Sequence, residues 1–256
     1  MKTVHWACLV LILGVFPECS SRPYKVPTSV AIIKPAGKIT PPMEPQDVAV
    51  AYMPIRKKPC EKTVIIIDPG HGGEDFGTHS LGKPRYQEKY LNLSTALLVR
   101  NFLQQFGFHV IMTRTDDTFI TLDERAEFAN KLNPRLFVSI HYNSAPSEEA
   151  EGIEVFYYAN DDDAIRAARS KVLAQCVHHC SVRNTQAKSR GVKNGNFAVI
   201  RKTNMPAILL EGGFLTNASE MEKIKDATYM KSLALAIAQG IQDFLAKDNI
   251  SARTTN

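Results

Sequence analysis

What this chain lacks first is a hydrophobic run long enough to cross a bilayer as a permanent helix. Its N-terminal apolar stretch, Trp6 to Phe16, falls well short of the ~20 residues a span needs. Dense basic runs interleaved with aromatics are missing too, and the formal charge of +5 is spread along the chain. Nucleic acid is therefore not indicated as a partner, although a mildly cationic surface would suit an acidic polymer. Cysteine is sparse: Cys8, Cys19, Cys60, Cys176 and Cys180 are too few for a disulfide-built scaffold. No segment repeats. These absences leave an ordinary globular chain, and 44% hydrophobic with 22% charged residues is enough to build at least one core.

The short N-terminal run reads as an export signal over residues 1–21. Lys2 and His5 precede it, Pro17 ends it, and the small-residue patch Cys19-Ser20-Ser21 follows. Two fates compete. Cleavage near Ser20 or Ser21 would release a soluble protein, whereas lipidation of Cys19 would tether it to a membrane. Under both, the protein is exported, to the periplasm or cell envelope. Such a compartment permits a disulfide at Cys60, but spacing assigns it no partner. Residues 22–62 are rich in proline (Pro23, Pro27, Pro35, Pro41, Pro42, Pro45, Pro54, Pro59) and have no sustained period. Proline removes backbone donors and favours extended chain, so this segment is expected to be a linker. A globular domain is expected over 63–247 and a tail over 248–256.

Within the domain, Val64 to Ile67 is a β-branched run that reads as a buried strand, broken at Asp68-Pro69-Gly70. Tyr86 to Phe106 has a broad apolar face and a stop at Gly107, which predicts a helix. His109 to Arg114 is the next strand. Thr121-Leu-Asp-Glu124 has the capping-box pattern and starts a helix to about Leu132. Strands are expected at Leu136–His141, Ile153–Tyr158, Phe197–Ile200 and Ala207–Glu211. Helices are expected at 161–181, 219–226 and 229–245. This alternation predicts one α/β domain with a mixed, largely parallel sheet flanked by helices on both faces.

Three strand ends carry side chains able to bind metal or move a proton: His71, His141 and Glu211. Glu88 opens the helix after the glycine-rich loop. Two imidazoles and a carboxylate are a ligand set used for catalytic zinc, with a position left for water. A further carboxylate could take the proton of that water and pass it to a leaving nitrogen. On residue types alone, a hydrogen-bonded structural histidine competes evenly with a metal ligand.

Longer motifs add to this reading. DPGHGG at 68–73, the Glu88-Lys89 pair, SIHYN at 139–143 and RGVKNGNFAVIRKTNMPAILLEGGFLTN at 190–217, in that order, closely resemble the zinc N-acetylmuramoyl-L-alanine amidases of the amidase family 3 type. The resemblance covers nearly all of Val64 to Leu245. It implies a mixed sheet flanked by helices, one Zn2+ ion held by His71, Glu88 and His141, and Glu211 as the catalytic residue. It also implies hydrolysis of the amide between the MurNAc lactyl group and L-alanine, in wall remodelling or division. Asn143, Arg190, Lys193 and Asn194 lie near the site in motif order and are candidate contacts to the stem peptide. The implied partners are peptidoglycan or a lipid-linked muropeptide precursor, together with an activator or division protein; the chain is expected to be a monomer.

The chain departs from the family pattern in places. Phe76 stands where relatives usually carry proline or a small residue, and Tyr90 where they carry an acid. Some relatives hold a long inserted helix that occludes the metal, whereas Asn160 to Asp163 leaves little room for one. No space remains in the sequence for the additional wall-binding modules that many relatives carry, so targeting is expected from the N-terminus or a partner.

Other motifs have plainer readings beside the functional ones. Ser80-Leu-Gly-Lys83 satisfies S-x-x-K, the nucleophile pattern of penicillin-binding enzymes. It supports an alternative reading as a serine-type peptidase, but it sits in a Gly/Pro-containing loop rather than at the start of a buried helix. Cys176 and Cys180 share a helical face; a disulfide or an ordinary helix surface is preferred to a second metal site. Arg125 is expected to form an ion pair that supports the core. The remaining alternative is a wall-binding pseudoenzyme, against which His71, Glu88, His141 and Glu211 stand intact.

Overall fold

A computed structural model describes residues 63–159 and 163–254. The signal, the proline-rich segment, Cys19 and Cys60 lie outside the described residues, as do 160–162 and the last two positions. Six strands form one sheet in the order β2-β1-β3-β6-β4-β5. They are β1 (Val64–Pro69), β2 (His109–Met112), β3 (Leu136–Asn143), β4 (Ile153–Tyr157), β5 (Ser189–Asn194) and β6 (Ala207–Phe214). Of the pairings between them, only β4 with β6 is antiparallel. The mixed, largely parallel sheet expected from the sequence is what forms.

Both faces of the central strands are apolar because both are covered. Ile65, Ile67, Val138, Ile140, Ile208 and Leu210 pack into the larger core with α1 (Glu88–Gln105), α3 (Ala164–Thr185) and α6 (Ala227–Thr254). Ile66, Phe137 and Leu209 point the other way, towards α2 (Leu122–Leu132) and the single turn α4 (Ala198–Arg201). A short helix, α5 (Ala218–Ile224), leads into α6. Fully burying one such aliphatic side chain stabilises the fold by about 1.5–3 kcal/mol, so these faces dominate its energetics.

The capping box at the start of α2 is present. Glu124 N–H donates to Thr121 Oγ1 at 3.2 Å, and Thr121 N–H donates to Glu124 Oε2 at 2.9 Å. Asn133 closes the helix in the left-handed region at φ 44, where asparagine is tolerated.

The elements differ from expectation at three places. Phe197–Ile200 is not a strand: Phe197 caps α4, and Arg201 N–H donates back to its carbonyl at 2.9 Å. A four-residue apolar run has no period that separates the two states. Strand β5 was not anticipated, because SRGVKN has one apolar side chain; it lies at the sheet edge, where charged residues are common. The tail expected from 248 is instead the end of α6, which continues to Thr254. Asp248 accepts from Arg169 at 2.8 and 3.0 Å and ion-pairs with Arg135, so that position is tied into the domain.

Cys176 and Cys180 are free thiols, buried where α3 meets α6. The helices approach closely there: a Cβ on Gly240 would stand 2.5 Å from the Val177 Cα. The pair is neither a disulfide nor an exposed helix surface.

Candidate metal centre

The site is built on the turn that ends β1. Asp68 is fully buried, and its carboxylate accepts from Thr113 Oγ1 at 2.6 Å, Ser139 Oγ at 2.7 Å and Arg125 Nη1 at 2.7 Å. Burial alone would raise its pKa, but the Arg125 charge and these hydrogen bonds outweigh burial and hold it below the ordinary 3.8. Arg125 thus supports the core, as expected.

Two buried guanidiniums then hold three consecutive carbonyls. Arg125 and Arg114 both donate to Pro69 O, at 2.8 and 3.0 Å. Arg114 donates to Gly70 O at 2.7 Å, and Arg125 to His71 O at 2.8 Å. Burial and the like charge of Arg125 pull Arg114 down to about 10. The clamp matters because His71 has φ 61, a left-handed conformation that costs a non-glycine residue roughly 1–2 kcal/mol.

Turned out of the strand in this way, His71 offers Nε2 to the site. Its Nδ1 meets Asp75 Oδ2 at 2.8 Å, while Nε2 lies 3.1 Å from Glu88 Oε2. A carboxylate behind a ligand histidine sets the tautomer and orients the ring. His141, near the end of β3, places Nδ1 2.9 Å from Glu88 Oε1. The two imidazoles meet edge to face, with centroids 4.9 Å apart. Gly70 makes this packing feasible: a Cβ there would stand 2.0 Å from His141 Cε1.

Glu88 is the first residue of α1 and is buried, where the positive end of the helix favours a carboxylate. Thr78 N–H and Asn92 Nδ2 donate to it at 2.9 and 3.1 Å. Burial would raise its pKa, but hydrogen bonds and charge from His141 and His71 bring it far below the ordinary range. Beside it, the buried Lys89 ammonium donates to Gly73 O at 2.6 Å and to Asp117 at 2.8 Å. It also lies 4.6 and 4.8 Å from the Phe76 and Tyr90 ring centroids. The two residues that depart from the family pattern therefore pack on one lysine that holds the loop.

Sheet register supplies the fourth group. Glu211 on β6 pairs with His141 on β3 on one side and with Glu154 on β4 on the other. Its Oε2 is buried with no hydrogen-bond partner among the described residues. Burial, then the charges of Glu88 and Glu154, push its pKa well above 4.5. A buried, unpartnered carboxylate oxygen is costly unless something else uses it.

These groups fit a metal ion. One donor atom each from His71, Glu88 and His141 lies within 4.8 Å of the others, the one such group among the described residues. Two nitrogens and an oxygen are a donor set that zinc accepts at about 2 Å.

The other candidates divide. Asn143 Nδ2, Arg190 Nε and Lys193 Nζ all donate to Glu154, the first two at 2.7 and 3.1 Å. Asn194 lies apart from this cluster, accepting from Ala159 N–H at 3.0 Å. Ser80 is buried in a loop, its Oγ accepting from Tyr86 N–H at 2.9 Å, while Lys83 is exposed. That is not the paired serine and lysine of a nucleophile. Sequence reasoning missed Asp75, Arg114 and Glu154. Asp75 has a local signal, an acid four residues after a histidine; Glu154 is marked only as an acid inside an otherwise apolar strand.

Two histidines at strand ends and a carboxylate at the start of α1, with a further unpartnered carboxylate beside them, are the groups a hydrolase uses to activate water. The chain matches the family described as N-acetylmuramoyl-L-alanine amidase over residues 65–243. It is 38% identical over 184 residues to the N-acetylmuramoyl-L-alanine amidase LytC of Bacillus subtilis, covering 72% of this chain and 36% of LytC. It therefore spans about a third of that relative's length. A crystal structure of an N-acetylmuramoyl-L-alanine amidase from Clostridium difficile 630 is 41% identical, with a TM-score of 0.68, over 73% of this chain and 98% of that one. The CwlD amidase of Clostridioides difficile, solved in complex with the GerS lipoprotein, is 31% identical with a TM-score of 0.67, over 72% and 99%. The chain belongs to the N-acetylmuramoyl-L-alanine amidase family.

Proposed function

We infer that the protein is a zinc-dependent amidase that hydrolyses the bond between the MurNAc lactyl group and L-alanine in peptidoglycan. The observation that carries this reading is the unpartnered Glu211 carboxylate beside the His71, Glu88 and His141 donors. His71 Nε2, His141 Nδ1 and Glu88 would hold the ion. The chemistry supplied by bound zinc is Lewis acidity, which makes water ionise near a pKa of about 7 and polarises a carbonyl.

The chain's own groups do the rest. Glu211 orients the attacking water through Oε2 and takes its proton. It then returns that proton to the departing L-alanine nitrogen, which must leave as an amine. A carboxylate whose pKa is raised by burial suits both steps, since it holds an abstracted proton more firmly than an exposed carboxylate does and can then hand it on. Asp75 holds the His71 ring in orientation, and the Arg114 and Arg125 clamp keeps the turn from relaxing out of its left-handed conformation.

The action is expected at the cell envelope, after export. No helix among the described residues is long and apolar enough to cross a membrane; cleavage near Ser20 or Ser21 would release the protein, and lipidation of Cys19 would tether it. An activator or division protein is the expected partner, and the complex of CwlD with GerS supports looking for a lipoprotein in contact with the domain.

Purified muropeptides digested with and without a chelator, read by mass spectrometry, test the proposal. Release of L-alanine-terminated peptide that stops with chelator and resumes with zinc is expected. Cleavage that survives chelation would remove the metal from the mechanism. No cleavage by the zinc-loaded protein would leave a wall-binding pseudoenzyme.

A further inference from the structure

Glu154 is the hub of a second cluster one strand away from Glu211. Its side chain is 5% exposed, yet two cations reach it, Arg190 at 33% and Lys193 at 42%. Asn143 Nδ2 occupies its other oxygen at 2.7 Å. One carboxylate facing two cations leaves one positive charge uncompensated, and that charge lies on the exposed side. Aromatic rings hold both cations in place: the Arg190 guanidinium lies 4.7 Å from the Phe214 ring centroid, and the Lys193 ammonium 5.9 Å from that of Phe156. A cluster meant only to neutralise Glu154 would need a single cation.

We propose that Arg190 and Lys193, positioned by Glu154, form a subsite for a free carboxylate on the stem peptide of the substrate. The proposal rests on the amidase reading above. Glu154 pairs with Glu211 across β4 and β6, and with Gly191 across β4 and β5. Neighbouring strands are about 4.8 Å apart, which puts β5 about 10 Å from the strand of Glu211. An extended peptide advances about 3.3–3.6 Å per residue, so a carboxylate two or three residues beyond the scissile amide reaches the cations. The N-acetylated sugars on the other side of that amide are uncharged, so the peptide is the part of the substrate whose chemistry matches. Charge-assisted hydrogen bonds to a carboxylate are the strong ones, and arginine can make two in parallel.

Two soluble substrates isolate this contact: N-acetylmuramoyl-L-Ala-D-Gln, whose γ-carboxyl is blocked as an amide, and its α-amide, N-acetylmuramoyl-L-Ala-D-glutaminamide. They differ only at the carboxylate. The zinc-loaded enzyme should favour the acid by about tenfold or more in kcat/KM, which is what one hydrogen-bonded charge contributes. The preference should appear in KM, because the contact exists before and during reaction. Arg190→Gln combined with Lys193→Met should bring the ratio of acid to amide close to one, and restoring charge with Lys193→Arg should recover part of it. A wild-type ratio near one, or a double variant that keeps the wild-type ratio, overturns the proposal.

A second readout separates this outcome from failure of the amidase reading. The dipeptides L-Ala-D-Gln and L-Ala-D-glutaminamide contain no scissile bond, and their binding to metal-free protein is measurable by calorimetry. If neither substrate is cleaved, tighter binding of the acid still upholds the subsite, and equal binding removes it. If the double variant fails to fold, the wild-type comparison decides alone.

Discussion

Asp68 and Arg125 meet at 2.7 Å with both side chains buried, although 57 positions separate them in sequence. Neither touches the metal donors through its own charge. Together they fix the turn from which His71 projects, since Arg125 also donates to the carbonyls of Pro69 and His71. Stability and site geometry are therefore linked through one ion pair.

Arg125→Met should accordingly cost about 3–5 kcal/mol, the penalty for leaving one buried charge without its partner. Zinc affinity should fall with it, because the His71 turn loses its clamp. Urea unfolding and a zinc titration measure the two effects. A loss of stability under 1 kcal/mol would show that Arg114 alone carries the turn.

The same pair predicts an acid sensitivity. The pKa of Asp68 is lowered on folding, so the folded state binds fewer protons and gains stability above the unfolded value near 3.9. That contribution is lost as pH falls below it towards the folded pKa. Melting curves between pH 3 and pH 7 should show wild type and Asp68→Asn converging at the acid end. A constant gap across that range would assign the role to packing rather than charge.

Replacing Glu211 with Gln should leave zinc content near wild type and lower turnover by about 10²–10⁴-fold, the usual worth of a positioned proton-transfer group. His141→Ala should lose metal and activity together. Metal analysis alongside the rate separates the two roles, and a Glu211→Gln enzyme with a near-normal rate would end the assignment.

Asp75→Asn keeps the shape but removes the charge behind His71. Zinc should bind about 10–100-fold more weakly, as for other carboxylates that orient a ligand histidine. Competition against a chelator of known affinity reads this directly. An unchanged affinity would mean that the turn alone orients the ring.

Far from the site, Gly240→Leu should destabilise the protein by roughly 1–3 kcal/mol or more, because α6 would have to move off α3. Denaturant titration measures it. Since the change lies on the helix layer, the amidase rate of the folded fraction should stay unchanged.

Much of this arrangement could be read from residue order. The run Val64–Ile67 followed by turn residues marked β1 and the exit of His71. The capping box marked α2 because its two hydrogen bonds are local, between residues three apart. SIHYN and the run ending at Glu211 marked two more strand ends. Local rules failed where the decisive contact was distant. The edge strand β5 has almost no apolar pattern and forms because β4 offers it a backbone ladder. Phe197 to Ile200 has the composition of a strand, but Phe197 meets the Phe156 ring edge to face at 4.9 Å and the chain turns there instead. Ser80 matches a nucleophile motif by spacing, and its buried hydroxyl is spent on a backbone amide.

The sequence by itself determined the fold class and most of the elements, and it singled out His71, Glu88, His141 and Glu211 as candidate site groups. Periodicity, turn chemistry and motif order are all properties of neighbours along the chain. Only the tertiary structure decided which carboxylate stays without a partner, which histidine nitrogen faces the site, and why three candidate contacts converge on Glu154. Those outcomes depend on strand register and on burial. Register brings His141, Glu211 and Glu154 into one row across three strands, and burial removes the water that would otherwise level their charges.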